Sequence, residues 1–291
     1  MVAAGRSARA ERAAKPPRAG RLRANPAPLL LGLVWFVVAF YPVYYMFITS
    51  LRTQAGFLSG SLWMPPSNPT LENYAGVIED GIGLYFLNSA FVTAVSVALI
   101  VAVSFLAAYA IARIRSGVAR AAFKVFLLGL AIPLQAAIIP IYVLIVHIGL
   151  YDTLYGLIPP QVAFGIPLTV LILVNFIRDI PNELYDSMVL DGSGHLRMMW
   201  NLVLPLSRPA LITVVIYNAL QVWNNFLFPL ILTQSSNIQT LPLALQQFQG
   251  QYGVNVPGLM AAVFLSVLPV MVLYLIARRQ LLGGLTAGFG K

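Results

Sequence analysis

The chain has 291 residues, of which 59% are hydrophobic and only 9% are charged, and its mean hydropathy is +0.82. Because soluble domains carry about 25% charged residues, this composition excludes an ordinary soluble protein and indicates an integral membrane protein. The net charge of +9 resembles that of nucleic-acid-binding proteins. However, the basic residues flank apolar runs and form no phosphate-binding face, so we expect no nucleic-acid partner.

Catalytic and cofactor motifs are absent from the sequence. With no Cys and two His, the chain has neither a thiolate site nor an HExxH zinc motif. It also lacks the GxxxxGK[ST] loop with which P-loop proteins bind ATP. We therefore expect no catalytic residue, no metal site and no bound cofactor in this chain.

Residues 1–26 are predicted to form a disordered cytoplasmic tail. They are rich in Ala, Arg and Pro, with Glu11 as their one acid, and cannot bury a core. An organellar transit peptide has a similar composition and is the alternative. A cleaved signal peptide is disfavoured, because the apolar run that begins near Pro28 is too long and lacks a cleavage site.

Residues 27–280 are predicted to form an all-α, polytopic membrane domain with six transmembrane helices. Each apolar run is near the roughly 20 residues that a helix needs to cross a bilayer. Prolines inside several runs predict kinks, which a helix bundle tolerates when neighbouring groups satisfy the freed carbonyls. The six runs cover residues 27–50, 85–112, 125–148, 156–177, 209–232 and 257–277.

The orientation of these helices is predicted from the distribution of Lys and Arg. With the N-terminus inside, the cytoplasmic segments are 1–26, 113–124, 178–208 and 278–291. Together they contain 17 of the 18 basic residues, and only Arg52 falls outside them. This asymmetry predicts that both termini lie in the cytoplasm.

The stretch Asp179–Pro209, between the fourth and fifth predicted spans, holds four of the nine acidic residues. Pro181 suits the first turn of a helix, and Gly192 can adopt the left-handed conformation that ends it. Ser193 can then cap a second helix that has one apolar face. We predict a helix, a glycine turn and a second helix along the cytoplasmic membrane surface.

This stretch resembles the cytoplasmic EAA loop of the permease subunits of ABC importers. Asp191-Gly192 matches the central Asp-Gly of the loop, and residues 202–205 match its Ile-x-Leu-Pro end, whereas residues 186–188 read Asp-Ser-Met where Glu-Ala-Ala is usual. In that family the loop docks into a groove of the ATPase subunit. The resemblance implies ATPase-coupling roles for Glu183, Asp186, Ser187, Asp191, Gly192, Ser193, Leu204 and Pro205.

Uncharged polar residues in the predicted spans are candidates for a substrate pathway. No charge occurs between Arg208 and Arg278, which argues against a proton relay or an ion-coupled carboxylate. Amide and indole groups suit a neutral hydroxylated ligand, although interhelical hydrogen bonding is the favoured explanation for any single polar residue. The segment around residue 223 resembles the Trp-Asn-Glu-Phe segment of carbohydrate permeases. The pathway candidates are Gln221, Trp223, Asn224 and Asn225, and Asn88, Gln135 and Asn218 are further intramembrane polar residues.

Residues 281–291 are predicted to form a cytoplasmic C-terminal tail. They resemble the Gly-Leu-Thr-x-Gly ending of one of the two permease types in carbohydrate importers, which reaches between the ATPase subunits. A frayed terminus is the alternative. The residues with implied ATPase contacts are Gly284, Leu285, Thr286 and Gly288.

Together these resemblances imply a multi-pass permease of a bacterial plasma membrane that forms half of the pathway of an ATP-driven sugar importer. The implied partners are a second homologous permease, an ATPase dimer that binds ATP and Mg, an extracytoplasmic solute-binding protein, the sugar and the lipid bilayer. One alternative is a permease for another solute, such as glycerol phosphate or a polyamine. A secondary carrier is a weaker alternative, and a membrane-embedded enzyme lacks paired acids or a nucleophile–base set in the spans.

Overall fold

The computed structural model describes residues 26–61, 63–114, 116–250 and 253–287. The described residues are mostly helical, as predicted, and the two strands among them are two residues each: β1 (Gln249–Gly250) pairs antiparallel with β2 (Gly253–Val254). The chain divides into two units, residues 1–43 and 44–291. Of the predicted cytoplasmic tail, residues 1–25 lie outside the described residues.

The helices follow one another with short connections. In chain order they are α1 (Pro26–Ser50), α2 (Gln54–Ser59), α3 (Glu72–Glu79), α4 (Ile82–Arg113), α5 (Gly117–Gly129), α6 (Leu134–His147), α7 (Leu154–Arg178), α8 (Asn182–Leu190), α9 (His195–Met198), α10 (Leu204–Leu206), α11 (Arg208–Trp223), α12 (Leu227–Leu232), α13 (Leu241–Ala244) and α14 (Val256–Ala287). A π-helical turn, Met199–Val203, joins α9 to α10.

Helices α4 and α7 are the central pair of the second unit. Their C-terminal halves pack together through side chains that include Ala108 on α4 and Leu173 and Ile177 on α7. Helix α7 continues through Pro159, Pro160 and Pro167 without a break. Each is long and apolar enough to span a bilayer, as is α1.

Two of the predicted spans are broken rather than continuous helices. The run at 125–148 is divided between α5 and α6, which meet at an angle of 101° close to Pro133. The fifth run, 209–232, is divided into α11 and α12 by a break at residues 224–226. The stretch His195–Leu206 also meets α11 at a bend of 74°. Counting α5 with α6, and His195–Leu206 with α11, as one bent span each gives up to five spans in the described residues, and α14 adds a further apolar stretch, Val256–Val272. The total of six spans and their orientation stay predictions.

Helices α4, α7 and α11 approach one another closely at Gly165. A Cβ atom placed there would lie 2.9 Å from Asn218 Oδ1 and would also meet the side chain of Ile100. Asn218 Nδ2 donates to Thr169 Oγ1 at 2.9 Å, joining α11 to α7, and the Thr169 hydroxyl donates to the Gly165 carbonyl at 2.7 Å. Asn218 therefore makes an interhelical hydrogen bond, which was one of the two interpretations of the polar residues in the predicted spans.

Candidate functional site

The segment between α7 and α11 folds as a helix, a glycine turn and a short second helix. Helix α8 ends at a turn in which Gly192 has φ of +72°. The Gly192 amide donates to the Val189 carbonyl at 3.0 Å, and the Ser193 amide donates to the Met188 carbonyl at 2.9 Å. These bonds satisfy carbonyls that the end of the helix would leave free, and they need the left-handed residue that glycine supplies. The predicted glycine turn is confirmed.

The start of the second helix differs from the prediction. Ser193 was expected to cap it, but the capping position is occupied by Gly194, whose backbone is extended and which offers no side-chain oxygen. The helix then widens into the π-turn, where the Leu204 amide donates to the Met199 carbonyl five residues earlier. Pro205 gives the physical reason, since its ring lacks an amide hydrogen and crowds the carbonyl four residues before it.

Helix α8 starts one residue later than the sequence suggested. Pro181 is the capping residue outside the helix, with ψ of 136°, rather than a member of its first turn. A proline disfavours helical geometry in the residue before it, so α7 and α8 are separate helices. Glu183 lies in the first turn of α8, where a carboxylate interacts favourably with the positive end of the helix.

One face of this coupling segment (residues 179–209) is buried against the long helices. Tyr185, Met198, Met199 and Val203 belong to the same apolar cluster as the C-terminal ends of α4 and α7. Burial raises the pKa of the Tyr185 phenol, and the nearby Arg113 guanidinium opposes that shift. The phenol is therefore protonated at neutral pH and acts here as a neutral aromatic group.

The opposite face of the coupling segment is open and combines acids with large apolar side chains. Leu190 is 88% exposed and Leu196 is 71% exposed. Apolar side chains of this size at an open surface indicate a site for protein contact. Of the predicted coupling residues, Glu183, Asp186, Ser187, Asp191, Gly192 and Pro205 are exposed, whereas Ser193 and Leu204 are half-buried.

Two predicted coupling residues differ in how their side chains are used. The Ser187 hydroxyl donates to the Leu184 carbonyl at 2.9 Å, so it is engaged within its own helix. The Asp191 carboxylate accepts no hydrogen bond from the described residues and faces the surface. An acid with that environment is available to a basic group of a partner.

Sequence reasoning missed the residues that attach this segment to α4. The Tyr109 hydroxyl donates to the His195 carbonyl at 2.9 Å. The Arg113 guanidinium lies over the Tyr185 ring, and its Nη1 donates to Asn182 Oδ1 at 3.0 Å. The one available signal was Tyr185, the single aromatic residue of α8.

The predicted pathway cluster lies at the break between α11 and α12. Asn225 Oδ1 accepts from the Phe228 amide at 3.0 Å and so caps α12, while Asn224 Nδ2 donates to the Leu220 carbonyl at 2.8 Å. Gln221 Nε2 donates to the Tyr217 hydroxyl at 3.0 Å. A helix break at membrane depth is tolerated only where it is buried in protein or lines a water-filled space.

An open apolar groove of about 680 Å³ runs between α4, α11 and α14. Trp223 lines it and also packs edge-on against Phe86, with ring centroids 5.5 Å apart. Gln221, Asn224 and Asn225 do not line this groove. The structure thus places Trp223 on the groove and the three amides at the helix break beside it.

The remaining predicted residues lie near the chain's C-terminus. The backbone of α14 continues to Ala287, so Gly284, Leu285 and Thr286 belong to that helix. Gly288 lies outside the described residues. Within the described part of the chain, no group of three or more His, Asp or Glu side chains is placed to hold a metal ion.

Comparison with known proteins gives consistent matches. Residues 100–282 match the family described as "Binding-protein-dependent transport system inner membrane component". The chain is 32% identical over 259 residues to the diacetylchitobiose uptake system permease protein NgcG of Streptomyces coelicolor, covering 88% of this chain and 85% of that protein. It is 30% identical over 276 residues to the melibiose/raffinose/stachyose import permease protein MelC of Bacillus subtilis, covering 94% and 99%.

A solved structure has the same fold. It is a bacterial ABC transporter involved in import of the acidic polysaccharide alginate, and one of its chains superposes with a TM-score of 0.77. The match covers 92% of this chain and 99% of that chain at 20% sequence identity. At this identity the likeness concerns the fold.

Proposed function

The chain belongs to the family of inner-membrane components of binding-protein-dependent transport systems, and from this premise we propose that it forms half of the translocation pathway of an ATP-driven sugar importer. Membership makes it a membrane transport subunit and a multi-pass protein of the bacterial plasma membrane. The coupling to ATP, the class of substrate and the identity of the remaining partners are what we propose in addition to family membership.

The structure of the coupling segment is the main support for this proposal. Its inner face is part of the core formed by α4 and α7, and its outer face carries the exposed Leu190 and Leu196 beside three exposed acids, Glu183, Asp186 and Asp191. A chain of membrane helices gains nothing for its own folding from exposed leucines at a polar surface. An ATPase subunit that covers this face would explain them.

A neutral mono- or oligosaccharide is the proposed substrate. Relatives named for the uptake of diacetylchitobiose and of melibiose, raffinose and stachyose support this class. The pathway candidates Gln221, Trp223, Asn224 and Asn225 offer amides for hydroxyl groups and an indole for a sugar face. Because no charge occurs between Arg208 and Arg278, glycerol phosphate and polyamines are less well matched.

In the proposed mechanism, this chain performs no covalent chemistry. A solute-binding protein delivers sugar from outside, and a second permease completes the pathway. Two ATPase subunits bind ATP and Mg and move together, which shifts α8 and the Gly192 turn. The helices packed against the coupling segment then move with it and expose the pathway to one side or the other.

The division of the chain into functional segments is also part of the proposal. Residues 1–26 form a cytoplasmic tail, residues 27–280 the permease domain and residues 281–291 a C-terminal segment. Gly284, Leu285, Thr286 and Gly288 contact the ATPase subunits. An uncharged segment with two glycines at these positions suits a narrow cleft between two protein surfaces.

Uptake into proteoliposomes tests the proposed function. The chain is purified with its partner permease and ATPase and reconstituted, with ATP sealed on the ATPase side and binding protein supplied on the other. We expect uptake of labelled oligosaccharides that requires ATP, the ATPase and the binding protein. Uptake without the ATPase would indicate a secondary carrier, and uptake of only glycerol phosphate or polyamines would overturn the sugar assignment.

Substitution of Trp223 tests the proposed pathway in the same vesicles. Trp223→Ala removes a ring that can stack on a sugar, so we expect uptake at low sugar concentration to fall roughly fivefold, as for a loss of about 1 kcal/mol. Trp223→Phe keeps an aromatic face and should retain most of the activity. Unchanged uptake kinetics in Trp223→Ala, with intact assembly, would assign this residue to packing alone.

A further inference from the structure

The cytoplasmic end of α4 carries two side chains that reach the coupling segment at different places. Tyr109 and Arg113 are four residues apart and therefore lie on the same face of the helix. Tyr109 donates to the carbonyl of His195 at the start of α9, at 2.9 Å. Arg113 reaches α8 instead. One face of one long helix thus contacts both short helices.

Arg113 contacts α8 at two points. Its Cζ atom lies 3.5 Å from the centroid of the Tyr185 ring, which is within the range of a cation–π contact. Its Nη1 donates to Asn182 Oδ1, one turn earlier, at 3.0 Å. Because the guanidinium is planar and rigid, two contacts one turn apart restrict both sliding and rotation of α8.

The rest of α8 has no comparable polar attachment. Tyr185 is 2% exposed, and its hydroxyl has no hydrogen-bond partner among the described residues. Within the described part of the chain, Arg113–Asn182 is the one side-chain hydrogen bond between α8 and a long helix. The ring face of Tyr185, rather than its hydroxyl, is therefore the feature that Arg113 uses.

We propose that Arg113 is a positioning residue that fixes α8 to α4, so that a displacement of α8 by the ATPase is transmitted to α4 and its packed partner α7. This inference rests on the proposed function, in which α8 contacts the ATPase. Apolar packing alone holds α8 against the core but allows it to slide along the contact. The Arg113 contacts remove that freedom, so motion of α8 is passed on rather than absorbed locally.

The first experiment measures coupling in the reconstituted complex, as sugar molecules taken up per ATP hydrolysed. For Arg113→Ala and Tyr185→Leu we expect the ATPase to remain bound and active while this ratio falls at least threefold. Tyr185→Phe keeps the ring and should match the wild type. Arg113→Lys keeps the charge but loses the planar fork, and we expect an intermediate ratio.

Arg178 provides a matched control. It lies at the C-terminal end of α7 with its guanidinium 5.2 Å from the Phe123 ring of α5. Among the described residues, its side chain makes no hydrogen bond or ring contact with α8. Arg178→Ala removes the same charge and a similar aromatic contact, and the coupling ratio should be unchanged. A wild-type ratio in Arg113→Ala, or an equal loss in Arg178→Ala, would overturn the proposal.

A second experiment keeps the inference testable if no sugar uptake is found. The chain has no Cys, so spin labels can be attached to Leu106→Cys on α4 and Val189→Cys on α8, both exposed positions. Arg113→Ala should broaden the distance distribution between the labels in the assembled complex, and Tyr185→Phe should not. An unchanged distribution would overturn the proposal even if ATP-driven sugar uptake were established.

Discussion

Gly192 and Gly194 lie in the same turn and differ mainly in backbone conformation. Neither would place a Cβ within 4 Å of another atom, but Gly192 has φ of +72° whereas Gly194 has φ of −77°. The cost of a side chain at Gly192 is therefore purely conformational, roughly 1–2 kcal/mol, and higher for a β-branched residue. Comparing substitutions at these two glycines therefore distinguishes the need for a positive φ from the need for space around the residue.

Gly192→Val is expected to weaken docking of the ATPase by about tenfold and to reduce the stimulation of its activity by loaded binding protein. The reason is that Val disfavours the left-handed turn and so changes the direction of α8 relative to α9. Pull-down of the ATPase and ATPase assays of the reconstituted complex measure this. Gly194→Thr is the control and should dock normally, because Thr is also β-branched but is about as favourable as Gly at a capping position. Wild-type docking and stimulation in Gly192→Val would show that the turn geometry does not matter for coupling.

Gly165 is required for a different reason, which is space between helices. Gly165→Ala adds a Cβ that would lie 2.9 Å from Asn218 Oδ1 and would press on Ile100. Such overpacking costs about 1–3 kcal/mol. We expect a lower thermal midpoint for the purified protein in detergent. Gly83→Ala on α4, where a Cβ meets nothing within 4 Å, should leave the midpoint equal or higher, and equal midpoints for both variants would contradict the close approach.

At the scale of elements, Asp152 ties the α6–α7 connection to the end of α12. Its Oδ1 accepts from the amides of Gln234 and Ser235 at 2.7 and 2.8 Å, and its Oδ2 accepts from the Ser235 hydroxyl at 2.6 Å. Its own amide donates to the Leu232 carbonyl at 2.9 Å. Asp152 has φ of 58°, a conformation that Asp tolerates better than most residues. Two broken or bent elements are thereby held together on the predicted outer side.

This contact predicts a dependence of stability on pH. The hydrogen bonds from Ser235 and from the Gln234 amide lower the pKa of the Asp152 carboxyl below its usual value. A lowered pKa in the folded state means that the contribution is present above the unfolded-state pKa of about 3.9. It is lost as the pH falls through the folded-state pKa.

Asp152→Asn is therefore expected to lower the thermal midpoint at neutral pH. The difference from the wild type should shrink as the pH falls below about 4. Asp80→Asn, at an exposed acid that follows α3 and has no side-chain hydrogen bond in the described part of the chain, should change little. A pH-independent difference between Asp152→Asn and the wild type would assign the effect to shape rather than charge.

For the whole molecule, the number of spans and their orientation in the membrane are still predictions. With six spans and both termini inside, Ser67 and Ser236 lie outside and Ser193 lies inside. Because the chain has no Cys, single Cys residues at these positions can be labelled with an impermeant maleimide in spheroplasts. We expect labelling of Ser67→Cys and Ser236→Cys, and labelling of Ser193→Cys only after lysis. External labelling at position 193 would overturn the orientation and the coupling role together.

Features that depend on only a few neighbouring residues could be predicted from the amino-acid sequence. The apolar runs gave the membrane class and the helical fold, because a bilayer requires about 20 apolar residues per crossing helix. The Gly192 turn was predicted correctly because a positive φ is a local preference of glycine. The motifs at Asp191-Gly192 and residues 202–205 carried enough information to identify the family.

Whether an apolar run forms one continuous helix, and which residues far apart in the sequence come into contact, depends on tertiary packing. Pro133 accompanies a bend of 101°, yet α7 passes through three prolines without a break, because packing against neighbouring helices decides whether a proline ends a helix. Arg113 meets Asn182, 69 residues away, and Asp152 meets Ser235, 83 residues away. A local periodic pattern in the sequence does not predict such pairs, because they depend on how α4, α7 and α11 pack as a group.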